Sequence, residues 1–210
     1  MRKHILSLQQ RFPLKVMRLG WFFTKAEKKE LMEWTEEGFT WFEEQFGKIM
    51  HYKVSLFIKK HSFVNGIYRH KKRKITIKAV KEKELFISTL IHELAHWITV
   101  EMFKNTAHQE KHWDLLLDYR ALIKEIYELD YTKAFMEHYK KEYPTLYIYY
   151  SREDESVARL IECLYLFNNA NPEVLQRKKR EFEIDTFLQT YQKKVHELMC
   201  LSVQSMDRKF

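Results

Sequence analysis

A chain of 210 residues, 45% hydrophobic and 15% aromatic, has the apolar mass for one buried core, which excludes intrinsic disorder. Four glycines and three prolines exclude a turn-rich β-sandwich and point to a mostly α protein. The formal charge of +8 arises from 37 basic and 29 acidic residues, and two cysteines, Cys163 and Cys200, are too few for a disulfide framework, so a reducing compartment is expected.

The opening MRKHILSLQQRFPLKV is basic, but Gln9, Gln10 and Arg11 interrupt its apolar residues, so no signal-peptide core forms. No apolar run reaches bilayer-spanning length, and a cytoplasmic chain with no membrane among its partners is expected. Thr24 and Glu27 have capping-box spacing, and apolar residues at 31, 34, 39, 41, 42 and 46 predict an amphipathic helix from 25 to Gly47. YKVSLFI and RKITIKA then alternate Val54, Leu56 and Ile58, and Ile75 and Ile77, with polar neighbours, as half-buried strands do. Asn65-Gly66 between them is a hairpin-type turn signal. Helical period returns from Glu84, with Phe86, Leu90, Leu94 and Ile98 on one side. After a break near Lys104 to Thr106, a second helix is predicted over 108–129. A connecting stretch with Pro144 leads to the aromatic run TLYIYY, which has the look of a strand or core edge. Ser151 and Asp154 are cap candidates for a helix over 152–167, and after NNANPE, Pro172 suits the first turn of a last helix reaching toward 200. The expected architecture is one α+β domain over 1–210, predominantly α. Residues 25–103 supply a helix, a small sheet and the helix from Glu84, and 107–200 a helical lobe.

Within TLIHELAHWIT, His92 and His96 stand four apart with Glu93 directly after the first. On a helix, such a pair of imidazoles meets one ion while the glutamate stands beside it. Neutral imidazoles suit Zn²⁺, which lowers the pKa of a bound water toward about 7, and a neighbouring free carboxylate, Glu93, can take its proton and pass it to a leaving amine. Such a site needs a third protein ligand. His108 and His112, 12 and 16 residues past His96, are candidates, and so is Glu155, which shares a helix face with Arg159 and Glu162. Small Ala158 would let that helix pack closely on the first. Tyr149 or Tyr150 is a candidate donor to a developing oxyanion, and Cys163 reads as a small buried residue.

The order of strand, HExxH helix and the later Tyr149, Ser151, Glu155, Ala158, Arg159 and Glu162 resembles gluzincin metallopeptidases, nearest to lethal-factor-like toxin peptidases and the peptidase modules of phage and mobile-element polyproteins. The resemblance implies a zincin-like fold, Glu155 as third zinc ligand, Tyr149 as the tyrosine that polarises the scissile carbonyl, and a cytoplasmic or phage-associated setting. Residues 25–118 are also similar to SprT-like metallopeptidases, which implies His108 as third ligand and a DNA-associated protease. The expected cofactor is zinc and the expected substrate a protein or peptide. A catalytically silent zincin-fold binding protein is the alternative of another class. The basic clusters KKRK at 71–74 and RKKR at 177–180 leave nucleic acid as a partner that is not favoured, and no feature bears on oligomeric state.

Overall fold

The computed structural model describes residues 2–49, 52–104, 113–179 and 184–207. It opens with a helix, α1 (Arg2–Arg11), and a strand, β1 (Leu14–Leu19), in a segment where the sequence pattern predicts no element. β1 is hard to see because its pairing slips between Leu14 and Val16, so its buried residues Leu14 and Met17 are three apart rather than two.

Helix α2 spans Lys25–Phe46 and starts as its capping box predicts. The Glu27 N–H donates to the Thr24 hydroxyl at 3.2 Å, and the Thr24 N–H donates to the Glu27 carboxylate at 2.7 Å. It stops at Gly47, whose φ of 99° lies where only glycine is at ease. Strands β2 (Val54–Lys59), β3 (Gly66–Arg69) and β4 (Lys74–Lys78) complete a four-stranded mixed sheet in the order β1-β2-β4-β3. The β1–β2 and β2–β4 pairs are parallel, and β3 runs antiparallel to β4 at the edge.

The hairpin expected at Asn65-Gly66 is therefore displaced. Parallel β2 and β4 cannot be joined by a tight turn. The turn lies between β3 and β4, in a 3-10 segment His70–Lys72 closed by Arg73 at φ 42°. Glu101 pins this turn from below, with its carboxylate accepting from the Tyr68 hydroxyl at 2.7 Å and lying 3.1 Å from Arg73 Nη2 and 3.3 Å from His70 Nδ1.

Helix α3 (Lys83–Lys104) is buried on nearly every side, because β3 and β4 cover one flank and α2 and later helices the others. Phe86, Leu90, Leu94 and Ile98, together with Val54, Leu56, Ile58, Ile75 and Ile77, lie in the core as predicted. Residues 105–112 lie outside the described residues, and with them the first part of the second predicted helix. The rest is α4 (Trp113–Tyr127). The expected connecting stretch is instead α5 (Asp130–Glu142), and TLYIYY is a helix rather than a strand, α6 (Pro144–Tyr150), with proline at its first position, where no N–H is needed.

Helix α7 (Glu153–Asn169) packs along α3, with Ala158 fully buried. Its expected side-chain cap is absent: Arg152 is the N-cap residue, and Ser151 donates to the Ile148 carbonyl at 3.1 Å, finishing α6 instead. Asn171 caps α8 (Pro172–Lys179) by accepting from the Val174 N–H at 3.0 Å. The last helix, α9 (Ile184–Asp207), packs on α2, α3, α4 and α7. Among the described residues no helix is long and apolar enough to cross a membrane.

Candidate metal centre

One turn of α3 separates His92 from His96, and both side chains point at the first turn of α7. There the Glu155 carboxylate meets them. The two Nε2 atoms lie 3.1 Å apart, His96 Nε2 is 3.1 Å from Glu155 Oε2, and His92 Nε2 is 3.6 Å from Glu155 Oε1. All three residues are buried, and their ligand atoms lie within 4.8 Å of one another. Ligands about 2.0–2.1 Å from a tetrahedral ion stand about 3.3 Å from each other, so the spacing suits one small cation. Without a cation, three inward-facing lone pairs in a buried place require a proton on one of the imidazoles.

Partners beyond the triad hold it. Glu162 Oε2 lies 3.2 Å from His92 Nδ1, and Asp154 Oδ2 lies 3.5 Å from His96 Nδ1. Arg159, one turn along α7, donates to Glu155 Oε1 at 2.9 Å, and the Ser88 hydroxyl donates to Glu162 at 3.2 Å. A carboxylate thus lies behind each imidazole, where it favours a proton on Nδ1 and leaves Nε2 turned toward the other ligand atoms. Burial opposes a charge on His92, but Glu155 and then Glu162 outweigh it and push its pKa up to about 10. Glu155 is held far below the usual carboxylate range despite its burial, by His92, His96 and Arg159. In the absence of a metal, His92 and Glu155 thus form an ion pair in the place where neutral imidazole would ligate.

Glu93 stands beside this triad, not within it. Its carboxyl is raised to about 7, first by burial, and it accepts a hydrogen bond from the Tyr68 amide of β3. Its Oε2 is buried without a partner among the described residues, so one oxygen remains to take a proton or a hydrogen bond. Its other side touches Gly66: a Cβ there would lie 2.5 Å from Glu93 Oε1 and 2.8 Å from Thr89 Cγ2.

The sequence candidates thus divide. His92, His96, Glu93 and Glu155 come together, while His108 and His112 lie outside the described residues. Tyr149 falls in α6, two residues before the turn at Ser151, and its side chain lies outside the described residues. Sequence spacing did not assign Glu162 or Asp154 to the imidazoles, nor Gly66 to Glu93. A signal existed for Glu162, which stands seven residues after Glu155 on the same helix face; none existed for Gly66, which meets Glu93 only through the fold. A tyrosine not singled out from the sequence, Tyr127 of α4, reaches the first turn of α7, its hydroxyl 2.8 Å from Ser156 Oγ. Cys163 and Cys200 are free, the first buried.

Comparison of the chain with family models, with curated proteins and with solved structures returned no match.

Proposed function

We propose that the protein is a zinc-dependent metallopeptidase of the gluzincin type, with a zincin-like arrangement of sheet edge, HExxH helix and glutamate-bearing helix. The observation that carries this reading is the convergence of His92, His96 and Glu155 beside a buried, proton-accepting Glu93. Two imidazoles and one carboxylate are a donor set of catalytic zinc, leaving one position open. Zinc held there supplies Lewis acidity toward a scissile carbonyl and makes a water acidic enough to attack at neutral pH.

The chain's own residues supply the rest. Glu93, with one carboxylate oxygen unpartnered among the described residues, accepts the proton of the attacking water and returns it to the leaving nitrogen. Glu162 and Asp154 keep the imidazoles turned to the ion, and Arg159 does so for Glu155. Edge strand β3, beside Glu93, offers backbone groups on which an extended peptide can lie as a further strand. Tyr149 remains the proposed donor to the developing oxyanion, on resemblance alone. Glu155 at the third corner favours the gluzincin reading over the SprT-like one.

Zinc content and peptide-library hydrolysis, measured for wild type and Glu93→Gln, test the proposal. One zinc per chain, with turnover only in the wild type, is expected. Zinc in both with turnover in neither would support the silent binding protein, and absence of zinc in the wild type would remove the reading.

A further inference from the structure

The sheet has a second face. α1, α2 and α3 cover the side carrying Leu56, Ile58, Ile75 and Ile77, and strand alternation turns Arg18, Phe57, Lys59, Arg69, Lys74 and Lys78 to the other. Register places them in rows: Arg18 beside Phe57, Lys59 beside Lys78, and Lys74 beside Arg69. Every strand contributes a cation. Arg18, Lys59 and Arg69 are exposed, Lys74 and Lys78 half-buried, and none of the five forms an ion pair among the described residues.

No counter-charge is available in the sequence nearby, since none of the 29 acidic residues falls in 1–26 or 45–81, the two segments that build the sheet. The effect is felt at Lys74, whose ammonium is disfavoured first by burial and then by Lys59, Arg69, Lys72 and Arg18. The KKRK cluster of the sequence is split by the fold: Arg73 turns to Glu101, and Lys74 joins this face. The one aromatic ring here, Phe57, is covered, with Lys74 Nζ 3.7 Å and the Arg18 guanidinium 5.8 Å from its centroid.

We propose that this outer sheet face binds the phosphodiester backbone of nucleic acid without reading its sequence. Three strand spacings of about 4.8 Å make the face about 14 Å wide, and four residues of β4 make it about 13 Å long, enough to meet several phosphates of a duplex that carries one charge per about 1.7 Å of axis. With Phe57 under its two cations, no ring on the face itself is free to stack on a base among the described residues, so contact there is with the backbone. An anionic bilayer would draw on a different feature, the exposed Trp21, Phe22 and Phe63 in loops at one end of the sheet, since it takes up protruding apolar side chains as well as positive charge. The inference does not depend on the metal centre, which lies on the opposite side of the sheet.

Full-length protein is titrated into a labelled 20-base-pair duplex, single-stranded DNA and RNA of equal length, and vesicles containing phosphatidylserine, each at 50 and 200 mM salt. Two triple variants of equal net charge are compared: Arg18→Glu, Lys59→Glu, Arg69→Glu on the face, and Lys124→Glu, Lys141→Glu, Lys193→Glu on the helices. A milder pair, Lys59→Gln with Arg69→Gln, serves if the first triple fails to fold. Five phosphate contacts give a salt slope near −4.5, or roughly a 500-fold loss between the two salt concentrations. The face variants are expected to weaken nucleic-acid binding at least tenfold, and the helix triple less than threefold. Equal loss in both triples would reduce the effect to net charge and overturn the proposal, as would salt-insensitive binding, no binding to any nucleic acid, or binding to vesicles alone.

Discussion

Glu93 rests against bare backbone at Gly66, where an added methyl would lie 2.5 Å from its carboxylate oxygen. Gly66→Ala must therefore move the carboxylate while leaving the ligands in place. Zinc content is expected to stay at wild-type level and turnover to fall by roughly 100-fold, the cost of a misplacement of about 1 Å. Wild-type turnover in that variant would show that Glu93 is not the base. Glu93→Gln goes further, removing about 10²- to 10⁴-fold in rate while keeping zinc, because an amide cannot take the proton. The residues behind the ligands act more gently: Arg159→Ala and Glu162→Gln should each weaken zinc binding by about 10- to 100-fold, read by competition with a chelating dye. Protons add a signed test. His92 is raised in the metal-free fold, so its stabilising contribution is complete below its unfolded value of about 6.5 and disappears as pH rises through about 10. Glu155 is lowered, so its contribution is present above the ordinary carboxylate range and is lost as pH falls. Zinc must displace the His92 proton, so its apparent affinity should rise about tenfold per unit between pH 7 and 9. An affinity flat across that range would mean that His92 is neutral before zinc arrives.

At the level of elements, α3 and α7 are the two that matter, because the triad exists only where they touch. Ala158, fully buried at their contact, sets the approach. Ala158→Leu should cost about 1–3 kcal/mol in denaturant unfolding by overpacking, and lower zinc affinity with it. Loss of stability with unchanged affinity would show that the ligands tolerate separation of the helices. Much of this level was legible in the sequence. The α2 capping box, the alternation in β2 and β4, and the helical period of α3 and α7 each carry their own local pattern. The misses have physical causes. The slip between Leu14 and Val16 hides β1 from a period-two search. Asn65-Gly66 looks like a hairpin turn, yet the parallel pairing of β2 and β4 leaves room for an edge strand after it. In α5, apolar residues at 131, 135, 136 and 139 have helical spacing but are diluted by lysines and glutamates. The aromatic, β-branched run of α6 favours a strand, and a helix opened by Pro144 overrides that propensity. The site was legible at His92, Glu93, His96 and Glu155, whereas Glu162, Asp154 and Gly66 acquire their partners only through tertiary contact.

Across the whole molecule, charge is segregated, with every carboxylate outside residues 1–26 and 45–81. The candidate metal centre and the basic sheet face therefore lie in separate electrostatic surroundings. The centre also ties distant parts of the chain, since His96 and Glu155 are 59 residues apart in sequence. A metal bound only by the folded state adds about 2.7 kcal/mol at a hundredfold excess over its Kd, which for a chain of this size raises Tm by roughly 5–10 °C. Chelation should reverse that gain, and a Tm indifferent to chelator would place any zinc elsewhere. The most direct test of the whole is metal content per chain in protein purified without chelator, for wild type, Glu155→Ala and His108→Ala. One zinc in the wild type and in His108→Ala, with zinc lost from Glu155→Ala, is the expected result; zinc retained by Glu155→Ala and lost from His108→Ala would contradict the centre described above.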